Sequence, residues 1–169
     1  MDKFSKLPLR KGVGIVVLNK RNEIFVAKRI DNPKNFWQMP QGGVDDGEDY
    51  LSAAFRELEE ETSVKNVKLI KEIEGTTSYE LPDNLLGIIW KGKYKGQKQK
   101  WFLMRYIGKD EDININTKKP EFLEWKWMVE LGLTGVMIKV LFYLPNKLLA
   151  QALSLRDMLF ISYLLLARL

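Results

Sequence analysis

Hydrophobic and polar positions alternate with two different periods along this chain. Residues 13–18 form an apolar, β-branched run and residues 24–30 a second, separated by Asn19-Lys20-Arg21-Asn22-Glu23; the pattern predicts two strands joined by a turn. Further on the period lengthens. Leu51, Ala54, Phe55 and Leu58 fall at i, i+3, i+4 and i+7, the spacing of a helix packing one face on a core, here over residues 48–62. After it, Val67, Leu69, Lys71 and Ile73 alternate with polar neighbours, as a strand with one exposed face does. Leu81-Pro82-Asp83-Asn84 reads as a turn, residues 85–90 as a strand or one helical turn, and residues 101–107, apolar on both faces, as a central strand. Leu123, Trp125 and Trp127 alternate with Glu124 and Lys126 in a last strand. Several strands around one strong helix predict a mixed α/β (α+β) domain.

The polar face of that helix is unusual. Glu57, Glu60 and Glu61 fall at i, i+3 and i+4 and form a stripe beside the apolar face. Like charges at this spacing repel by a few tenths of a kcal/mol per pair. Two readings stand: a solvated acidic face partly neutralised by Arg56, or an oxygen cluster of the kind hard divalent cations such as Mg2+ or Mn2+ use. The preceding loop favours the second. Gly42 and Gly43 let the backbone bend or approach a ligand closely, and Asp46-Gly47 is a turn signal, with Asp46 the expected N-cap of a helix starting near Glu48. Pro40, just before, argues for an extended or edge segment.

Composition removes several chemistries. The sequence has 169 residues, no cysteine and no histidine, which excludes thiol, disulfide and histidine-base mechanisms and disfavours zinc. Hydrophobic content of 46% suffices for one core. The first residues, MDKFSKLPLRKG, lack an apolar core of the secretory type, so a cytoplasmic protein is expected. A net charge of +5 despite the acidic helix puts positive charge elsewhere, which suits a polyanionic substrate. Lys91, Lys93, Lys95, Lys98 and Lys100 are interleaved with Tyr94 and flanked by Trp90 and Trp101. That run is either a solvated lysine loop or a surface for phosphates and nucleobases. Gly108-Lys109-Asp110-Glu111-Asp112 is either a solvated turn or the source of a further carboxylate.

From Val136 onward the chain changes character: 24 of the last 34 residues are apolar, yet the longest uncharged stretch, Met158 to Ala167, has ten residues. A transmembrane helix needs about 20, so no span is expected. The readings are a helix packed on the domain, or a surface for a membrane or partner. The expected organisation is a domain over 1–130 and an apolar helical segment over 131–169.

Taken together, Gly42, five residues, Glu48, seven residues and then Arg56-Glu57-Leu58-Glu59-Glu60-Glu61-Thr62-Ser63-Val64 resemble the Nudix box. Every charged position of that pattern is matched, and Ser63 stands where the family has glycine, in the turn that ends the helix. Trp37-Gln38-Met39-Pro40-Gln41-Gly42-Gly43, Gly96-Gln97-Lys98-Gln99-Lys100-Trp101-Phe102 and Pro120-Glu121-Phe122 with Trp125-Lys126-Trp127 resemble the bacterial RNA pyrophosphohydrolase branch, which overlaps with dinucleoside polyphosphate hydrolases. That resemblance covers residues 9–128. It implies a Nudix α/β/α sandwich with a mixed sheet and a catalytic loop-helix-loop. It also implies Mg2+ or Mn2+ held by Glu57, Glu60 and Glu61 with Asp112 or Glu111, and Glu57 or Glu60 as general base. Arg56 and Glu48 are expected to orient loop and helix, and Arg10, Arg29, Lys98 and Lys100 to contact phosphate or base. The implied reaction removes pyrophosphate from 5′-triphosphorylated RNA. Hydrolysis of dinucleoside polyphosphates or nucleotides is the same-class alternative, and a non-catalytic RNA- or nucleotide-binding module the different one. No DNA partner is expected. The branch continues with a helix carrying Phe-Lys-Arg, which residues 129–169 lack.

Overall fold

The N-terminal apolar run becomes strand β1 (Leu9–Leu18), whose last seven residues are all buried. A computed structural model describes residues 4, 6–31 and 37–128 of the chain. Strand β2 (Ile24–Arg29) follows the predicted turn, closed by Asn19, whose Oδ1 accepts from the Arg21 and Glu23 amides. Trp37–Gln38 (β3) and Gln41–Gly43 (β4) flank the buried Pro40, whose carbonyl accepts from Ile15 N–H at 2.9 Å. Helix α1 spans Tyr50–Thr62. Then come β5 (Val67–Glu72), β6 (Thr77–Glu80), β7 (Gly96–Tyr106) and β8 (Phe122–Met128).

All eight strands join one mixed sheet, in the order β3-β2-β1-β7-β5, with β4 on β1, β6 on β7 and β8 on β2. β1 and β7 run parallel over ten paired residues, from Leu9 with Gly96 to Leu18 with Arg105, and form the centre. Alternation then sorts the side chains. Val13, Ile15, Val17, Phe102 and Met104 meet Ala53, Ala54 and Leu58 of α1 in one apolar cluster. Val16, Leu18, Leu103 and Met39, with Trp37 and Trp101 against them, fill a second.

Several expectations are corrected. The central strand starts at Gly96 rather than Trp101, because backbone pairing with β1 and β6 holds its polar first half. Lys98 and Lys100 are therefore strand residues. The helix starts after Asp49, not Asp46: Asp49 Oδ1 accepts from the Leu51 and Ser52 amides at 2.9 and 3.0 Å, leaving Glu48 in the loop. Phe55 is 37% exposed, whereas the buried face carries Ala53, Ala54, Leu58, Glu61 and Thr62. On β5 a register shift between Leu69 and Lys71 breaks the alternation, and Leu69 and Ile70 are both about 40% exposed. Residues 85–90 form short 3-10 turns, at Asp83–Leu85 and Ile89–Gly92. Among the described residues α1 is the one α-helix, and none is long and apolar enough to cross a membrane. The C-terminal segment over 131–169 lies outside the described residues.

Candidate active site

The glycine pair of β4 permits close approach rather than unusual dihedral angles. A Cβ at Gly42 would lie 1.9 Å from Glu57 Cδ, and one at Gly43 would lie 1.9 Å from Arg10 Nη2. Each glycine thus vacates the space a charged group occupies. Gly43 N–H donates to Glu57 Oε1 at 2.8 Å, and Gln41 N–H donates to Glu61 Oε2 at 3.2 Å. Two helix carboxylates are therefore tied to the loop backbone.

Arg56 ties the rest. Its Nε and Nη2 donate to both oxygens of Glu48 at 2.9 and 2.8 Å, a two-pronged geometry that fixes direction as well as distance. Nη2 also reaches Gly43 O at 2.8 Å, and Nη1 reaches Glu57 Oε1 at 3.0 Å and Glu60 Oε1 at 3.6 Å. Beside this guanidinium the Glu48 carboxyl lies below its ordinary range. Position along the helix grades the three glutamates in burial: side-chain exposure is 62% at Glu60 and 15% at Glu57, and Glu61 as a residue is 3% exposed. Burial pushes the Glu57 carboxyl above the usual range against the pull of Arg56. Glu61 lies well above it, from burial first and then from Glu121, with Gln41 N–H and Arg29 opposing.

Glu121, which the sequence analysis does not single out as a site residue, lies close enough to Glu61 for its charge to raise the Glu61 carboxyl. Arg29 chelates Asp31 through Nε and Nη2 at 2.6 and 2.7 Å, and its Nη1 reaches Glu121 Oε2 at 3.1 Å. That contact, with Ile30 N–H donating to Glu121 O at 2.9 Å, fixes Glu121 on the Glu61 side of the sheet. Glu111 and Asp112, the expected outlying carboxylates, face elsewhere. Asp112 Oδ2 accepts from Lys109 N–H at 3.0 Å within its own turn, and burial together with Asp112, Asp110 and Glu111 pushes the Tyr106 hydroxyl up to about 12. Arg29 is thus brought to the site, with its guanidinium spent on carboxylates.

The expected phosphate-binding residues separate by face. Lys98 and Lys100 share the parity of Phe102 and Met104; Lys98 is exposed and Lys100 pairs with Glu72. On the opposite face Gln97 and Gln99 are only 5% and 6% exposed. Gln97 Nε2 crosses over Gly12, where a Cβ would lie 2.0 Å from it, to Gly42 O at 3.3 Å. Tyr79 OH donates to Gln97 Oε1 at 3.0 Å, and Gln99 Nε2 donates to Gln41 Oε1 at 2.8 Å. Arg10, paired in register with Gln97, shares this face. The period-two alternation of Gln97 and Gln99 with Lys98 and Lys100 was the signal available in the sequence.

As the side chains stand, no three carboxylates among the described residues converge to hold an ion; the loop amides hold Glu57 and Glu61 toward β4, while Glu60 lies largely in solvent beside Arg56. The donors nevertheless fit a hard divalent cation. They are all oxygens, and Glu61 is a buried carboxyl with one amide donor and Glu121 as a neighbouring carboxylate, so that its ionised form lacks compensation that a cation would supply.

Comparison with known proteins supplies the wider setting. A family model described as NUDIX domain matches residues 8–132. The chain is 70% identical over 137 residues to the RNA pyrophosphohydrolase of Pelagibacter ubique, covering 81% of this chain and 87% of that protein. It is 51% identical over 122 residues to the RNA pyrophosphohydrolase of Rhodospirillum rubrum, covering 72% and 73%. Among solved structures, a C. elegans Ap4A hydrolase binary complex superposes with a TM-score of 0.62 at 23% identity, over 92% of this chain and 98% of that one. The E. coli dihydroneopterin triphosphate pyrophosphohydrolase gives 0.61 at 23% identity, over 78% and 88%. At that identity the likeness is one of fold.

Proposed function

This chain belongs to the NUDIX family, and from that premise we propose that it is an RNA pyrophosphohydrolase, using a divalent cation to remove pyrophosphate from the triphosphorylated 5′ end of RNA. The observation that carries this reading is the buried, under-bonded carboxylate of Glu61 between Glu57 and Glu121, on a helix tied to a glycine loop. The name shared by relatives up to 70% identical supplies the reaction.

Glu57, Glu60, Glu61 and Glu121 are the residues we assign to hold Mg2+ or Mn2+. Once bound, the cation supplies charge neutralisation at phosphate oxygens and greater acidity to a water molecule. Glu57 is our choice to accept that water's proton, because burial raises its proton affinity while Gly43 N–H and Arg56 fix its carboxylate. Arg56 and Glu48 act by position, joining helix to loop. Arg10, with Gln97, Gln99 and Tyr79 on the same face, is assigned to the phosphates, since no carboxylate among the described residues pairs with Arg10. With RNA as substrate, the working compartment is the cytoplasm.

The test compares kcat/KM on 5′-triphosphorylated RNA, diadenosine tetraphosphate and dGTP at equal Mg2+. The highest value is expected on RNA, and a higher value on either competitor would move the assignment to that substrate. RNA binding that persists in EDTA, without phosphate release in Mg2+, would make the chain a binding module.

A further inference from the structure

One aromatic side chain outside the carboxylate cluster is held in an unfavourable backbone conformation with no core to explain it. In the turn Ile89–Gly92, Trp90 has φ 50° and ψ 35°, Lys91 has φ 57° and ψ 29°, and Gly92 has φ 69°. Three successive left-handed residues are rare, and at tryptophan and lysine each costs free energy relative to the right-handed form. Burial does not offset that cost, because Trp90 is half-buried and Lys91 exposed. The neighbouring Ile88 is 69% exposed. A tight reversal, with Gly87 O only 2.9 Å from where a Gly92 Cβ would be, keeps the turn in this shape.

What the strained turn achieves is the position of the indole. The Arg10 guanidinium carbon lies 5.4 Å from the Trp90 ring centroid, and Tyr94 meets the same ring edge-on at 6.2 Å. Arg10 in turn fills the space left by the missing Cβ of Gly43, whose N–H holds Glu57 at 2.8 Å. A continuous series of contacts therefore runs from the indole through a guanidinium to the catalytic loop. A guanidinium on one part of an aromatic surface and lysines beside it, Lys91 and Lys93, is the composition that receives a base and its adjoining phosphates.

We propose that Trp90 is a nucleobase platform, on which the base of the substrate's first nucleotide stacks while Arg10 bridges that base to the polyphosphate. The proposal rests on the assignment of a nucleotide-bearing substrate to this site. It makes Trp90 a specificity residue, since stacking acts on the part of the substrate that does not react.

The experiment uses the full chain and two 5′-triphosphorylated oligoribonucleotides, identical except that one has an abasic first nucleotide. Wild type, Trp90→Leu and Trp90→Phe are compared by kcat/KM, and by equilibrium binding of the same pair. The wild type should prefer the base-bearing substrate by about tenfold, the order expected for one stacked base, mainly through KM. Trp90→Leu should reduce that preference to within about twofold and Trp90→Phe should keep most of it. An unchanged preference in Trp90→Leu, or an equal loss on both substrates, overturns the platform and leaves Trp90 a support for Arg10. A wild type that binds with the preference but releases no phosphate overturns the enzymatic reading and leaves the platform standing.

Discussion

Replacing Glu61 by glutamine should make the protein more stable and less active at once. Glu61 is 3% exposed, receives one amide hydrogen bond and has Glu121 as a like-charged neighbour, with Arg29 only partly compensating. A buried charged group that is under-bonded costs about 1–3 kcal/mol or more. Glutamine keeps the shape and can still accept from Gln41 N–H. In EDTA at about pH 8, Glu61→Gln should therefore gain about 1–3 kcal/mol, which for a chain of this size is roughly 2–12 °C in Tm. The sign with pH follows from linkage. A carboxyl whose folded pKa is raised favours the fold when protonated, so its contribution is present at low pH and lost as pH rises through the folded value. The chelated wild type should thus lose stability on going from mildly acidic to alkaline pH, and the variant should lose less. Glu48, Asp49 and Asp31 have lowered values, and their contributions disappear only in acid below that window. Mg2+ at a hundred times its Kd should offset most or all of the variant's advantage, because it adds about 2.7 kcal/mol to the protein that binds it. Turnover of the variant should fall at least about a hundredfold. Thermal unfolding by circular dichroism, with and without EDTA and across pH, reads the stabilities, and phosphate release from 5′-triphosphorylated RNA reads the turnover. A variant no more stable than wild type in EDTA at pH 8 would refute the reasoning.

Three more outcomes are expected. Gly42→Ala puts a Cβ 1.9 Å from Glu57 Cδ; displacing that carboxylate by about 1 Å should lower kcat about a hundredfold while KM changes little, and near-normal kcat would remove Glu57 from the chemistry. Glu121→Gln should weaken Mn2+ binding, measured by titration calorimetry, by at least about tenfold, whereas Asp112→Asn and Glu111→Gln should leave it within about twofold; the reverse ranking would restore the acidic loop as the outlying ligand. Ser63 sits at φ 60° with its hydroxyl donating to Asn114 O at 3.1 Å. Relief of the left-handed strain by Ser63→Gly, about 1–2 kcal/mol, should slightly exceed the lost hydrogen bond, giving up to about 1 kcal/mol of added stability; denaturant unfolding that shows a loss above about 1 kcal/mol would mean the hydroxyl holds the helix exit.

What could be read from the sequence is what lies close together along it. The loop and helix are one continuous stretch, so the spacing of Gly42, Glu48, Arg56 and the glutamates already encodes their geometry. Glu121 is different: it reaches Glu61 only because β8 pairs with β2 beside Arg29, with a register shift at Lys28 and Arg29. Pro120-Glu121-Phe122 carries part of the family resemblance, but nothing local says that its carboxylate lies near the helix glutamates rather than in a surface turn. Gln97 and Gln99 look polar and solvated in sequence, yet they are buried because glycine at position 12 of the neighbouring strand lets Gln97 cross to the loop. The N-cap was misjudged by three residues because Asp46-Gly47 and Asp49 both carry turn chemistry, and only the tertiary pairing of Glu48 with Arg56 decides between them.

The spacing of Glu57, Glu60 and Glu61 describes a uniform acidic stripe, but packing makes the three positions chemically unlike. Glu61 lies on the buried face with Leu58 and Thr62, where a charge is most costly without a cation and where a bound cation gains most from low dielectric surroundings. Glu57 is intermediate, raised by burial yet fixed by an amide and a guanidinium, which suits a group that must accept a proton at one place. Glu60 remains largely in solvent at the outer edge of Arg56 and can turn to whatever approaches from outside. One helix rotation of about 100° per residue thus makes three identical side chains differ in burial and bonding, which matches the roles proposed for them: Glu61 as buried anchor, Glu57 as oriented base and Glu60 as adaptable outer ligand. That gradation explains why the site needs Arg56. Without a cation the helix can bring these charges together only if Arg56 pairs with Glu48 and Glu57 and the loop amides hold Glu57 and Glu61.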